Sequence, residues 1–238
     1  MDPTDHVLDW LPAPDPRSRN FSVVDMPDVP PELSSAGPPR RKLHRGPGPR
    51  IDQGREGACV GFAKAIALMS APVAVKLNDP TTFSMHVYNE ARVIDGFPTG
   101  TEGTSLVAGA KILQRLGWID SYWWAFGIDQ VLLALASHPV VLGINWYHDM
   151  YWTDVNNIVH VGGSWVGGHA ITATGYARRL DPRTGKTALF IRWRNSWGPD
   201  YGNRGDGWIR VEDLDWLLRQ HGEACVLKGQ RWVPLPAE

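Results

Sequence analysis

The chain predicts an α+β fold with partly segregated layers. Three observations carry that expectation. Apolar residues recur at helical spacing through the first half of the globular part. Short apolar runs rich in β-branched residues fill the second half. Turn residues separate those runs.

The elements follow in chain order. Residues 1–50 are rich in proline and weakly periodic, and they predict an extended arm along the body, because proline sets its own φ and restricts the residue before it. Pro12 to Arg19 and Pro27 to Pro49 are its extended or turn-like parts. Such an arm suits a docking partner, and it lacks the long amphipathic helices of a folded inhibitory pro-domain. Arg40, Arg41, Lys42 and Arg45 sit among proline and glycine and read as a solvated linker. Helices are expected over Cys59 to Ser70, Phe83 to Ile94, Ser105 to Leu116 (stopped by Gly117) and Asp129 to Ser137. Strands are expected over Val140 to Trp146, His169 to Tyr176, Ala188 to Trp193 and Gly207 to Val211, with a strong turn at Asp181-Pro182-Arg183-Thr184-Gly185. The globular part is 51–238, helical over about 51–138 and β over about 139–238.

Composition narrows the function. The chain has 238 residues, 43% hydrophobic and 21% charged, with a formal net charge of −1. That length buries a real core in one large domain or two small lobes. The balanced charge gives no broad attraction to nucleic acid or to a membrane surface. Val131 to Trp146, the most apolar run, is broken by His138 and Pro139 and is too short to span a bilayer. The acidic, polar start at Met1-Asp2-Pro3-Thr4-Asp5-His6 has no secretory signal pattern, so the expected location is the cytoplasm or an assembled particle such as a virion. Two cysteines are too few for a disulfide-built fold, although one bridge stays open. Cys225, in Glu223-Ala224-Cys225-Val226-Leu227, reads as a small buried apolar residue.

Cys59 reads differently. A glycine-rich loop, Asp52-Gln53-Gly54-Arg55-Glu56-Gly57-Ala58, leads straight into a helix that Cys59 starts. Unpaired N–H groups and the helix dipole favour a thiolate there. Gln53 can set a side-chain N–H beside the Cys59 backbone N–H, and such an oxyanion site is worth about 3–4 kcal/mol in acyl transfer. In Gly167-Gly168-His169-Ala170-Ile171 a histidine at a strand edge follows two glycines that leave room for a substrate chain. In Arg194-Asn195-Ser196-Trp197-Gly198 an asparagine can orient that imidazole and an indole can cover the pair. Each piece alone is weak; their order and offsets together point to a thiol hydrolase.

These motifs resemble the papain family of cysteine peptidases. The Gln53-Gly54 to Gly57-Ala58-Cys59 loop, Gly168-His169-Ala170 and Asn195-Ser196-Trp197-Gly198, followed by Tyr201-Gly202 and Gly205-Asp206-Gly207-Trp208-Ile209-Arg210-Val211, carry the resemblance over roughly Ile51 to Val211. It implies two lobes, one helical and one β-barrel-like, with the active site in the cleft between them. It makes Cys59 the nucleophile, His169 the base and acid, Asn195 the orienting residue and Gln53 the oxyanion donor. Trp197 shelters the Asn–His bond, and Gly168 and the Glu102-Gly103-Thr104-Ser105 segment form opposite walls of an open, apolar-lined pocket. No metal or cofactor is implied; His138, His148 and His160 are structural or solvent-facing. Glu56 and Val60 stand where the family signature has a cysteine and an aromatic. The missing cysteine fits a reducing compartment, and the style suggests a bacterial or viral branch. The aromatic stretch Trp118 to Phe126, with Trp146, Tyr147, Tyr151 and Trp152, either borders the pocket or fills the core.

The expected activity is hydrolysis of peptide bonds in a peptide or protein substrate through a thioester. Two alternatives remain: an amidase or endopeptidase acting on cell-wall peptides, and a papain-like fold kept as a binding module without turnover.

Overall fold

A computed structural model describes residues 2–13, 15–29, 38, 40–45, 48–97 and 100–234. Its elements, in order, are β1 (Arg41–Leu43), α1 (Cys59–Met69), α2 (Pro80–Asp95), α3 (Leu106–Arg115), β2 (Ser121–Trp124), α4 (Ile128–Leu135), β3 (Val140–Tyr147), β4 (Trp165–Asp181), β5 (Lys186–Arg194), β6 (Asp206–Arg210), α5 (Val211–Arg219) and β7 (Glu223–Lys228). The helices pack mostly in the first half and the antiparallel sheet is built mostly from the second, as the α+β expectation requires.

Local chemistry explains most boundaries. Asp79 caps α2 by accepting from the Thr81 and Thr82 N–H groups, and Pro80 takes the first helical position, so the helix starts three residues before the expected Phe83. Gly96 ends it in the left-handed region at φ 61°. Ser105 caps α3 by accepting from the Ala108 N–H. α1 is buried along its whole length, and Gly61 lets the backbone of Ser84 in α2 come close enough that any Cβ would collide with it.

The seven-stranded sheet runs β2-β7-β3-β4-β5-β6, with β1 pairing β4. β4 is much longer than the expected His169 to Tyr176, because β3, β5 and β1 pair with successive parts of it. His169 therefore lies inside this strand, opposite Ile144, and not at a strand edge. β2, β7 and α5 were not expected. The Arg41–Leu43 segment, expected as a linker, is a short strand whose side chains stay largely in solvent.

Two hydrophobic clusters flank the sheet. One gathers α1, α2 and α3 with Val141, Ala170, Cys225 and Leu227, and the other gathers α4, α5 and the opposite sheet face with Trp146, Trp193 and Trp197. Of the aromatic stretch, Trp118, Trp124 and Trp146 are core residues, while Trp152 is exposed.

The arm departs from the expectation of a simple extended chain. Pro3–Asp5, Pro16–Phe21 and Val23–Asp25 form 3₁₀ turns. Trp10 belongs to the helical cluster, and Val23, Met26 and Val29 belong to the other. Within the Pro27 to Pro49 segment, residues 30–37, 39, 46 and 47 lie outside the described residues. Among the described residues no helix is long and apolar enough to cross a membrane.

The turn after β5 is held by a buried ion pair, Arg194 Nε to Asp206 Oδ1 at 2.9 Å. Asp206→Ala strands the buried Arg194 guanidinium, so we expect a loss of about 3–5 kcal/mol in urea unfolding; a loss below about 1 kcal/mol means that water already screens the pair.

Candidate active site

Cys59 is the first residue of α1, and the capping position, Ala58, supplies no side-chain acceptor. The N–H groups of that first turn are therefore free to stabilise negative charge. The thiol lies within hydrogen-bond reach of the Ala170 backbone N–H, next in the chain to His169. α1 is held on β4 by the Thr172 hydroxyl, which donates to the Ala63 carbonyl at 2.7 Å.

His169 Nε2 lies 2.7 Å from Asn195 Oδ1. The same oxygen accepts the Ser196 N–H at 2.8 Å, which fixes it as the acceptor end of the amide. Nε2 then carries the proton, and Nδ1 is the basic nitrogen. Nδ1 is buried without a hydrogen-bond partner. Trp197 lies 4.9 Å from the imidazole centroid, and Trp146 meets it edge-on at 4.8 Å.

The loop before α1 is tied to the segment after Asn195. The Gln53 N–H donates to the Ser196 carbonyl, the Gly198 N–H donates to the Ile51 carbonyl, and Gln53 Oε1 accepts the Ser196 hydroxyl at 2.6 Å. With Oε1 so engaged, Gln53 Nε2 points its two hydrogens at the Val7 carbonyl, at 3.0 Å, and the Glu56 carbonyl, at 2.9 Å.

Val7 belongs to the arm, and the arm corrects the expectation of an open pocket. Residues 6–11 run through the cleft. His6 stacks on Trp197 at 4.8 Å, and its Nε2 lies 3.2 Å from Asp52 Oδ1. The Trp10 N–H donates to the Gly168 carbonyl, the Leu11 N–H to the Thr104 carbonyl, and the Thr104 N–H to the Asp9 carbonyl. These are parallel bridges to both expected walls. The wall glycines make room for this strand: a Cβ at Gly103 would strike Asp9, one at Gly168 would strike the Trp10 carbonyl, and one at Gly143 would strike the Trp10 ring. The indole Nε1 donates to Glu223 Oε2 at 3.2 Å.

This cover sets the electrostatics. Cys59 and His169 are both fully buried. Burial pushes the thiol up to about 11 and the imidazole down to about 3, against the Asn195 bond that favours its protonated form. Under the arm the pair is neutral. Burial also lifts Glu223 to about 7, against the Trp10 hydrogen bond and the Lys64 charge.

Cys59, His169, Asn195, Gln53, Gly168, Gly103 and Trp197 thus converge on one cleft. Cys225 is free and buried as expected, but the buried Lys64 ammonium donates to its sulfur at 3.1 Å, so its surroundings are not purely apolar. Among the described residues no group of three or more His, Cys, Asp or Glu is placed to hold a metal. His6, Val7, Asp9, Trp10, Asp52 and Glu223 were missed. The signal was present in Val7-Leu8-Asp9-Trp10-Leu11, an apolar segment of the proline-rich arm.

No protein-family model matches the sequence, and no curated protein matches it. Solved structures do. The chain is similar to xylellain, a cysteine protease from Xylella fastidiosa, with a TM-score of 0.71 at 20% identity over 95% of this chain and 97% of that one. It is similar to the bromelain protease from Ananas comosus in complex with the E64 inhibitor, with a TM-score of 0.61 at 16% identity over 81% of this chain and all of that one. It also matches the proform of the ragweed pollen allergen Amb a 11, a cysteine protease, at TM-score 0.62 and 16% identity, over 84% of this chain and 61% of that one. The fold is the two-lobe α+β fold of papain-like cysteine proteases.

Replacing Gly143 by Ala puts a methyl group where the Trp10 ring sits. We expect the arm to loosen and added chymotrypsin to cut after Leu8 or Trp10 severalfold faster than in the native chain; an unchanged rate means that the indole does not hold the arm.

Proposed function

We propose that this chain is a cysteine peptidase that cleaves peptide bonds through Cys59, His169 and Asn195, and that its own N-terminal arm keeps it latent. The observation that carries the reading is the basic Nδ1 of His169, buried without a partner while Nε2 is held by Asn195; the residue after His169, Ala170, has the backbone N–H that the thiol of helix-starting Cys59 reaches.

The chemistry then needs no further group. His169 Nδ1 takes the Cys59 proton, and the thiolate attacks the substrate carbonyl carbon. Gln53 Nε2 and the Cys59 N–H receive the oxyanion; the arm's Val7 carbonyl already takes a hydrogen bond from that side-chain donor. His169 returns the proton to the leaving amine as the tetrahedral species collapses to a thioester. Water, deprotonated by His169, hydrolyses the thioester and regenerates the thiol. Trp197 keeps bulk water from the His169–Asn195 bond. Gly168 and Gly103 line the groove in which a substrate strand replaces residues 8–11.

The parallel direction of the arm supports latency. A strand laid in one direction pairs with the cleft walls through a different set of carbonyls and N–H groups than a strand laid in the other. The arm can therefore fill the groove without offering its own peptide bond in the orientation that a cleavable chain adopts. It also excludes the water that a thiolate–imidazolium pair needs.

Labelling with an iodoacetamide or epoxysuccinyl probe from pH 4 to 9 tests both parts. In the native chain the docked arm keeps the thiol buried and raised, and labelling is slow while it stays docked. In Trp10→Ala we expect fast labelling of Cys59 already below pH 7, lost again when His169→Ala is added. Labelling of Trp10→Ala that rises only near pH 8.5 and ignores His169 marks an ordinary thiol and sinks the peptidase reading.

On a fluorogenic peptide, Trp10→Ala should exceed the native rate, and adding Cys59→Ala should abolish it. Asn195→Ala in the same background should lower kcat by about a hundredfold, since it releases the imidazole without removing it; an unchanged kcat rules Asn195 out as the orienting residue.

A further inference from the structure

α1 is buried along its whole length, and Lys64 is the one charged residue in it. Its side chain is fully buried. The stem passes over Gly109 of α3, where an added Cβ would lie 3.6 Å from both Lys64 Cγ and Lys64 Cε. The amine ends at Cys225 of β7, itself free and fully buried, and donates to its Sγ at 3.1 Å. Among the described residues this is the one hydrogen bond of Lys64, and no carboxylate forms an ion pair with it. Sulfur is a weak acceptor, so a charged amine buried against it is poorly compensated. A methionine would fill the same space without that cost. Packing does not account for a lysine at this position; a nitrogen held against a sulfur, ready to react with it, does.

The pair also has an approach. A cavity of about 530 Å³ is lined by Trp124, Glu223 and Ala224 among others. Trp124 lies directly across from Cys225 in the β2–β7 pair, and Glu223, two residues before Cys225, shares its face of the sheet. The cavity therefore brings small solutes to the neighbours of Cys225. Burial pushes the Cys225 thiol up, and the Lys64 charge and hydrogen bond work against it. One side chain thus favours the thiolate that an oxidant meets and holds a nitrogen beside it.

We propose that Lys64 and Cys225 are a peroxide-sensitive modification site: hydrogen peroxide oxidises the thiol, and the lysine nitrogen closes on the sulfur to join α1 to β7 by an S–N bond. The site uses neither Cys59 nor His169 and stands apart from the peptidase reading. In the first step the sulfur attacks one peroxide oxygen and the O–O bond breaks. The departing hydroxide takes the thiol proton and leaves as water, with a sulfenic acid on Cys225. In the second step Lys64, as the free amine, attacks that sulfur. The S–O bond breaks, the S–N bond forms, and hydroxide leaves as a second water with one proton from nitrogen. The proton that the ammonium gives up beforehand passes to Glu223, on which the Lys64 charge already acts. One peroxide is thus reduced to two waters while the sulfur loses two electrons. A thiol reductant reverses the link, returning the amine and the thiol as the reductant becomes a disulfide. The two residues are 161 apart in the chain, so the bond restrains the unfolded chain as a disulfide closing a long loop does.

Peptide mapping of the full chain reads the link directly. Cys59→Ala serves as the parent, which leaves Cys225 as its one thiol and makes the readout independent of any peptidase activity. The folded parent is treated with hydrogen peroxide, and its monomer fraction is unfolded and digested with trypsin without reductant. We expect a peptide from α1 joined to a peptide from β7, lighter than their sum by two hydrogens, with cleavage after Lys64 lost. Dithiothreitol should restore both peptides and the cleavage. The urea midpoint of the folded chain should rise on oxidation and return on reduction. Lys64→Met and Lys64→Gln, each added to the parent, should show neither the link nor the reversible rise; two variants without a nucleophilic amine guard against misfolding of either one. A Cys225 that stays a free thiol overturns the proposal. So does one that gains oxygen while trypsin still cuts after Lys64, or a reversible rise that persists in either folded Lys64 variant.

Discussion

The packing of α1 against β4 is the constraint from which the site follows. The helix carries Cys59 and the strand carries His169, so their relation is set by one helix–strand interface. That interface is close because the helix is rich in small residues, among them Ala63, Ala65 and Ala67, all buried. The Thr172 hydroxyl reaches across it to the Ala63 carbonyl. A buried bond of this kind is worth only about 1 kcal/mol, but it also sets the register of the helix along the strand. A slip of one residue in β4 would turn His169 to the other face of the sheet. The four-sided embedding of β4, with β1, β3, β5 and α1 around it, makes such a slip expensive.

Asn195 depends on the same arrangement at one remove. It follows β5, which pairs with β4, and its side chain reaches back to His169. The Ser196 N–H orients its amide, and the loop that holds Gln53 is bonded to Ser196. Loop, strand and helix thus lock one another, and the tryptophans pack around the result. Trp146, Trp193 and Trp197 are core residues of the β side, and two of them also cover the imidazole. The two readings of the aromatic stretch, core or site border, are not exclusive at these positions.

The arm adds a second layer of control. It fills a groove whose glycines leave room for its backbone, and it keeps the Cys59 thiol buried and neutral. Geometry and charge act in the same direction: while residues 6–11 occupy the groove, the cleft is filled and Cys59 and His169 are held neutral by burial. Removing the cover changes both at once.

Much of this was legible in the chain. The helical spacing after Cys59, the apolar run of β3 and the turn at Asp181 to Gly185 each express a local rule, in which side-chain period or turn chemistry decides the backbone. β2 and β7 were missed because Ser121–Trp124 is short and Glu223–Lys228 begins within a polar neighbourhood; β2 becomes a strand by pairing with β7, and β7 by pairing with both β2 and β3. α5 was missed for a similar reason, since its apolar stripe of Leu214, Leu217 and Leu218 is brief and needs the sheet beneath it. The candidate site residues were legible in the sequence alone, because a glycine loop before a helix-starting cysteine and an Asn-Ser-Trp-Gly segment are local patterns. Which protons they hold, and what lies over them, was decided only by tertiary structure. Burial, the Thr104–Asp9 hydrogen bond and the placement of Trp10 on Gly143 join residues far apart in the chain, and no local pattern encodes a desolvation that depends on which distant segment arrives.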